Sequence, residues 1–121
     1  MESILIVDDD VNLCNELNEE LREVGYDTES VYDGNQAVLK IAEKTFDLIL
    51  LDLKIPEKDG FEILKEINEK KRNSKVIVLT AYADVKSAID SAKMGANDFI
   101  SKPYDFDELL ITIRKVLQKD E

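Results

Sequence analysis

Acidic, hydroxyl and amine side chains follow short aliphatic runs at several points in this sequence. Asp8, Asp9 and Asp10 come directly after ILIV, and Asp52 comes directly after LILL. Thr80 ends the run VIVLT, and Lys102 follows DFIS. Carboxylates can bind a hard divalent cation or attack an electrophile, whereas a hydroxyl and an ammonium can hold the oxygens of a phosphoryl group. Each residue alone also suits an ordinary cap or loop, so the chemistry depends on their convergence.

The aliphatic runs alternate with segments of helical period, which predicts five βα units around a parallel sheet. We expect strands at residues 4–7, 27–31, 47–51, 75–79 and 98–101 of one domain, residues 1–121. The first, third and fourth runs are aliphatic enough for burial on both faces, whereas DTESV and DFIS are mixed and predict edge strands. Right-handed crossovers then give a doubly wound α/β sandwich of flavodoxin-like type, with strand order 2-1-3-4-5.

Apolar residues at helical spacing predict a buried face for each of the five helices. Asp10 is a candidate N-cap for the first helix, and Gly60 starts the third. The predicted faces, in chain order, are Cys14, Leu17, Leu21 and Val24; Val38, Ile41 and Ala42; Phe61, Leu64 and Ile67; Val85, Ala88, Ile89 and Ala92; and Phe106, Leu109, Leu110, Ile113, Val116 and Leu117.

In such a sheet, ligands bind beyond the carboxyl ends of the strands, where all these polar residues should meet. Asp8, Asp9 and Asp52 would repel one another unless some protonate or a cation joins them, and we expect Mg²⁺. Thr80 and Lys102 would then contact the oxygens of a phosphoryl group. The residues alone do not say which aspartate attacks; we choose Asp52 because Asp8 and Asp9 are needed for the metal.

The composition narrows the classes of function. With 16 Lys and Arg against 27 Asp and Glu, the net charge of -11 disfavours direct binding to nucleic acid or to anionic membranes. Histidine is absent, which excludes imidazole catalysis, and the single cysteine, Cys14, excludes an internal disulfide. No segment is apolar enough to predict a signal peptide or a membrane span. We therefore expect a cytoplasmic protein.

Taken together and in order, the motifs ILIVDDD, DLILLDLKIPEKDG, VIVLTAYAD, GANDFISKP and DELL resemble those of the receiver domains of bacterial two-component response regulators. The resemblance implies that a sensor histidine kinase or a histidine phosphotransfer protein phosphorylates Asp52. It also implies that Asp9 and Asp52 bind Mg²⁺, that Asp8 contributes through water, and that the Lys54 carbonyl is a further ligand. Such a domain catalyses its own phosphorylation and dephosphorylation, without turnover of a separate substrate.

The same resemblance implies a switch. Thr80 and Lys102 would contact the phosphoryl group, the Lys102–Pro103 peptide would be cis, and Phe99 would occupy the aromatic switch position. The face formed by the fourth helix, the fifth strand and the fifth helix would then signal to a downstream protein or an attached output domain, or support a phosphorylation-dependent homodimer. Nothing after IRKVLQKDE resembles an output domain, so we expect either a stand-alone receiver or part of a longer regulator.

Two side positions point to different outputs. Lys54 and Tyr82 resemble the pair in the single-domain receiver of the sporulation phosphorelay, whereas residues 81–110 resemble receivers of activators of alternative-sigma-factor transcription. Our hypothesis is that Lys54 and Tyr82 shield the acyl phosphate from water, although a surface lysine and a half-buried tyrosine explain them equally well. An unchanged dephosphorylation rate in Lys54→Ala and Tyr82→Ala would contradict it.

Three alternatives to an active receiver domain share part of this pattern. Mg²⁺-dependent phosphatases of the haloacid dehalogenase type also use an aspartyl nucleophile, and Asp8 and Asp10 fit their first motif, but Asn12 stands where it needs threonine or valine. A flavin-binding domain of the same architecture needs a first loop that accepts phosphate, which DDDVN would repel. A degenerate receiver acting only as a binding module is disfavoured because every chemical position is filled.

Overall fold

The computed structural model describes residues 1–70, 73–81 and 84–118, and strands alternate with helices throughout. The elements are β1 (Ser3–Val7), α1 (Val11–Glu23), β2 (Asp27–Val31), α2 (Gly34–Glu43), β3 (Leu48–Leu51), α3 (Gly60–Lys70), β4 (Lys75–Thr80), α4 (Val85–Lys93), β5 (Asp98–Ser101) and α5 (Phe106–Gln118).

The five strands form one parallel sheet in the order β2-β1-β3-β4-β5, which confirms the predicted topology and both edge strands. Three strand ends differ from the prediction by one residue. β1 begins at Ser3, β3 begins at Leu48, and β4 ends at Thr80. Asp47 lies outside β3 and accepts the Ser3 N–H through its carboxylate, at 2.8 Å.

The core lies on both faces of the three central strands, as their uninterrupted aliphatic runs predict. Successive residues of β1 alternate between two clusters: Ile4 and Ile6 pack with α1 and α5, whereas Leu5 and Val7 pack with α2 and α3. Each of these side chains is at most 1% exposed. Burying an aliphatic side chain of this size contributes about 2 kcal/mol, so the central strands form a stiff support for whatever lies at their ends.

An aspartate caps the start of each of the five described helices, and Asp59 and Asp105 do so for α3 and α5. Asp10 accepts the Leu13 N–H at the start of α1, which confirms that cap. Asp33 and Asp84 cap α2 and α4 in the same way. Because Asp84 performs this role, the hydroxyl of Thr80 is not used to cap α4.

The predicted buried face of the fourth helix is wrong. Val85 is 76% exposed and Ile89 is 49% exposed, whereas the polar Ser91 is buried. Val24 is a smaller error of the same kind, because it is the C-cap of α1 and 39% exposed. Ala42 and Ala92 are also exposed. The helical period shows that one side of a helix is apolar, but it does not show which surface covers that side.

Side chains from α1 and α2 reach across the edge strand β2. Arg22 donates from Nε to Thr28 Oγ1 and from Nη2 to the Thr28 carbonyl, both at 3.0 Å. Glu29 accepts from Lys40 at 3.2 Å and from Lys44 at 2.7 Å. These contacts join the edge of the sheet to the helices on both of its faces.

None of the helices in the described ranges combines the length and apolarity needed to cross a membrane.

Candidate functional site

The sheet brings four of the predicted site residues together beyond its carboxyl edge. Asp8 follows β1, Asp52 follows β3, Thr80 ends β4 and Lys102 follows β5. Backbone hydrogen bonds extend the ladder past the strand ends: the Asp52 N–H donates to the Val7 carbonyl at 3.0 Å, and the Lys102 N–H to the Thr80 carbonyl at 2.9 Å. The backbone of these residues is therefore fixed by the sheet rather than by mobile loops.

Asp52 lies at the centre of this group. Its Oδ1 accepts the Thr80 hydroxyl at 2.8 Å and the Lys54 N–H at 3.1 Å, and its Oδ2 accepts the Lys102 ammonium at 3.0 Å. Asp52 is 7% exposed and Thr80 is fully buried. A carboxylate with this set of donors has a fixed orientation, and the same donors can stabilise negative charge that develops beside it.

Lys102 also bridges to Asp8. Its ammonium donates to Asp8 Oδ2 at 2.6 Å, and the Asp10 N–H donates to Asp8 Oδ1 at 3.0 Å. Burial raises the pKa of Asp8 above its ordinary value, although the Lys102 and Asp10 hydrogen bonds oppose that shift. Burial alone would lower the pKa of Lys102, but its bonds to Asp8 and Asp52 outweigh this effect and raise it. Lys102 is therefore protonated at neutral pH.

Asp9 completes a cluster that suits a metal ion. Carboxylate oxygens of Asp8, Asp9 and Asp52 all lie within 4.8 Å of one another, and Asp9 is exposed while the other two are buried. When ionised, three carboxylates and the Lys102 ammonium together carry two net negative charges. A hard divalent cation such as Mg²⁺ matches both this charge and the oxygen ligands, and Asp9 leaves the cluster open to solvent.

The thiol of Cys14 lies behind Asp8 and donates to its carbonyl at 3.5 Å. Burial, assisted by the negative charge of Asp8, raises the pKa of Cys14 to about 11. The thiolate is the reactive form of cysteine, so this side chain is inert at neutral pH and belongs to the packing of α1.

A groove of about 540 Å³ borders the site on the side of α1 and the β5–α5 loop. Tyr104 lines it and donates its hydroxyl to Glu20 Oε1 at 2.9 Å, and burial together with the Glu20 charge raises the pKa of that hydroxyl. No motif or period in the sequence predicts this contact, because it joins two residues 84 positions apart. The Lys102–Pro103 peptide in the same loop is cis, as the resemblance implied.

The remaining predicted residues lie around the rim. Phe99 is half-buried in β5, opposite Val78 of β4. Lys54 is exposed, and it contacts Asp52 through its backbone N–H. Tyr82 lies outside the described residues.

Comparison with known proteins assigns first the fold and then the family. A solved response regulator receiver domain protein (CheY-like) from Methanospirillum hungatei superposes with a TM-score of 0.95 at 31% identity, covering 98% of this chain and 95% of that one. The protein TrrA from Thermotoga maritima, solved in complex with Mg²⁺-BeF, gives a TM-score of 0.86 at 37% identity, over 96% and 99% of the two chains. The doubly wound fold is thus that of CheY-like receivers.

The model of the response regulator receiver domain matches residues 4–114, and the chain belongs to this family. Transcriptional regulatory protein ZraR of Klebsiella oxytoca is 43% identical over 94% of this chain, and response regulator ArlR of Staphylococcus saprophyticus is 39% identical over 98%. The chain spans only 26% of that ZraR and 54% of that ArlR. Membership of this family excludes the phosphatase and flavin-binding alternatives.

Proposed function

We propose that Asp52 accepts a phosphoryl group from a phosphohistidine of a sensor histidine kinase or a histidine phosphotransfer protein. The observation that carries this proposal is the set of donors on Asp52: the Thr80 hydroxyl, the Lys102 ammonium and the Lys54 N–H. A solvated cap would not require a buried hydroxyl and a shared ammonium from two other strands. Because these 121 residues contain no histidine, the phosphohistidine lies outside them.

The transfer moves one phosphoryl group between two nucleophiles. A carboxylate oxygen of Asp52 attacks phosphorus, the P–N bond to the partner's histidine breaks, and the imidazole leaves with its electron pair and takes up a proton. The product is an acyl phosphate on Asp52. Lys102 then contacts a phosphoryl oxygen in place of the carboxylate, and the Thr80 hydroxyl donates to another, so the donors that orient Asp52 also neutralise the transferred charge.

The same proposal assigns Mg²⁺ to the acidic cluster. Asp9 and Asp52 would bind it directly, Asp8 through water, and the Lys54 carbonyl would supply a further ligand. The closeness of the three carboxylates and their net charge support this assignment. When bound, the ion neutralises charge on the phosphoryl oxygens and allows an anionic donor to approach an acidic site.

Signalling would follow from a change of packing on the side of α4, β5 and α5. If Thr80 moves towards the phosphoryl group, it vacates space that Phe99 can occupy, which shifts the population between two arrangements. Val85 and Ile89 place exposed apolar surface on this side, which suits a downstream protein, an output domain or a second receiver. Size-exclusion chromatography that shows no phosphorylation-dependent change would count against the homodimer.

The test of phosphoryl acceptance is the intact mass of the protein after incubation with acetyl phosphate, with and without Mg²⁺. We expect one added phosphoryl group that requires both Mg²⁺ and Asp52, and therefore no adduct on Asp52→Ala. Asp27→Ala is the matched control, because Asp27 is an exposed aspartate at the start of β2, at the opposite edge of the sheet.

An adduct that persists in Asp52→Ala would refute the assignment of the acceptor. If the wild type gives no adduct, beryllofluoride binding separates rapid hydrolysis from an inactive site, since a competent site binds beryllofluoride without a hydrolysable bond. Failure of both measurements would leave a receiver that acts only as a binding module.

A further inference from the structure

The loop between β3 and α3, residues 53–59, is closed tightly at its base. The Gly60 N–H donates to the Leu53 carbonyl at 3.0 Å, and Lys54 and Asp59 form an isolated antiparallel bridge. A Cβ atom on Gly60 would lie 2.4 Å from Leu53 Cα, closer than real Cβ contacts. Glycine is therefore required for the two ends of the loop to approach each other.

The tip of the same loop is held by helix α2. Gly34, the first residue of that helix, donates its N–H to the Pro56 carbonyl at 2.9 Å. A Cβ atom on Gly34 would lie 2.4 Å from Lys58 Cβ and 2.7 Å from Lys58 N, so the helix has no room for a side chain at this point. The N–H of a first helical residue has no partner within its own helix, and here the loop supplies one.

The loop itself has an unfavourable backbone conformation between these two contacts. Glu57 has φ 76°, in the left-handed region that residues other than glycine seldom adopt. Such a conformation persists only where the surrounding contacts over-determine it, and these conformations concentrate at functional sites. The contacts of Gly34 with Pro56 and Lys58 flank Glu57 on both sides and can hold it there.

The loop begins at the acidic cluster. Asp52 precedes it directly, and the Lys54 N–H donates to Asp52 Oδ1 at 3.1 Å. Lys54, whose carbonyl is the proposed backbone ligand, is one of the two residues of the bridge at the base of the loop. The position of that carbonyl relative to Asp8, Asp9 and Asp52 therefore depends on how the loop is held.

We propose that Gly34 is a positioning residue for the metal: through its hydrogen bond to Pro56 and its contact with Lys58, it holds the β3–α3 loop so that the Lys54 carbonyl faces the acidic cluster. This inference rests on the proposed Mg²⁺ site. It makes α2, which contributes no side chain to that site, a determinant of its affinity. Outer contacts that orient metal ligands typically contribute about tenfold or more to affinity.

The experiment is a Mg²⁺ titration of the purified protein followed by two-dimensional NMR, using the amide signals of residues 8–10 and 52–54. Gly34→Ala should weaken Mg²⁺ binding by about tenfold. Pro56→Gly keeps the acceptor carbonyl and introduces no clash but frees the loop backbone, so it should weaken binding several-fold in the same direction. It also serves if Gly34→Ala does not fold.

Gly25→Ala is the matched control. Gly25 has a positive φ of 99°, so a side chain there is strained, but no atom lies within 4 Å of an added Cβ, and it precedes β2 at the opposite edge of the sheet. This variant should lower the melting temperature and leave the Mg²⁺ affinity unchanged, which separates positioning from general destabilisation.

If the wild type binds no Mg²⁺, the metal site of the proposed function fails and this inference falls with it. If the wild type binds Mg²⁺ and the folded Gly34→Ala variant binds it equally well, the inference is wrong while the proposed function stands. If Gly34→Ala does not fold, unchanged affinity in Pro56→Gly overturns the inference. An equal loss of affinity in Gly25→Ala would also overturn it.

Discussion

Replacing Lys102 by methionine tests the electrostatic account of the site most directly. Lys102 donates to Asp8 at 2.6 Å and to Asp52 at 3.0 Å, and both carboxylate side chains are at least nine-tenths buried. Methionine keeps much of the side-chain volume but removes the charge. Two buried carboxylates would then lose the cation between them, and Asp8 and Asp52 would repel each other without compensation.

Removing one partner of a buried ion pair costs about 3 to 5 kcal/mol. The Lys102 side chain retains 17% exposure, so water can replace part of the lost interaction, and we expect the lower end, about 3 kcal/mol. For a domain of this size the change corresponds to a fall in melting temperature of roughly 10 °C.

The loss of stability in Lys102→Met should depend on pH. Burial raises the pKa of Asp8 in the folded state, so its charged form destabilises the fold at neutral pH. This penalty fades as the pH falls through the folded pKa towards the ordinary value of 3.8. Because Lys102 opposes the shift, its removal raises the pKa of Asp8 further and enlarges the penalty at pH 7. The difference between variant and wild type should therefore shrink as the pH falls from 7 towards the ordinary pKa of 3.8.

The assay is thermal unfolding followed by circular dichroism at pH 5 and pH 7, with and without Mg²⁺. Mg²⁺ should raise the melting temperature of Lys102→Met more than that of the wild type, because it replaces the missing positive charge. Lys70→Met is the control, since its ion pair with Glu66 is exposed and should contribute little. A variant as stable as the wild type at pH 7, with the same pH dependence, would refute the reasoning.

Three further predictions concern individual site residues. Mg²⁺ should raise the melting temperature of the wild type through preferential binding to the folded state, and Asp9→Asn should abolish that rise in the same thermal assay; an equal rise would exclude Asp9 as a ligand. Thr80→Ala loses the 2.8 Å hydrogen bond to Asp52 but should still gain the mass of a phosphoryl group. Phosphorylation should then no longer shift the NMR signals of Phe99, whereas the control Thr80→Ser should keep those shifts. Equal shifts in both variants would show that Thr80 does not act in the switch. Lys54→Ala should accelerate loss of the phosphoryl group, measured by the decay of the adduct mass, and an unchanged rate would remove Lys54 from lifetime control.

The sequence was sufficient to predict most of the fold because its strands are unusually clear. The runs ILIV, LILL and VIVL are aliphatic throughout and suit burial on both faces, which places these three strands in the centre of the sheet. The ends of those strands then determine the meeting of Asp8, Asp52, Thr80 and Lys102, since parallel strands end at a common edge. Short-range pattern and topology together therefore predicted the location of the site.

Other features could not be predicted, because they depend on contacts between residues distant in the chain. The apolar period of α4 is real, but Val85 and Ile89 face away from the core, and periodicity carries no information about what covers a surface. The hydrogen bond between Gly34 and Pro56 joins the start of α2 to the β3–α3 loop, and only the three-dimensional structure shows that a side chain at Gly34 would collide with Lys58. The pair Asp33–Gly34 after a strand predicts a turn, but it does not predict a contact with the β3–α3 loop.

The contact of Arg22 with Thr28 also bears on association between molecules. The Asp27 N–H and the Val31 carbonyl both bond towards β1, so by the alternation of a strand the Thr28 carbonyl faces the open edge of the sheet. An unpaired edge invites a strand from another chain, and this is a common route to aggregation. By donating to that carbonyl, Arg22 occupies an acceptor that an incoming strand would need. The Arg22 guanidinium thus hinders the addition of a further strand at β2, the edge of the sheet opposite β5.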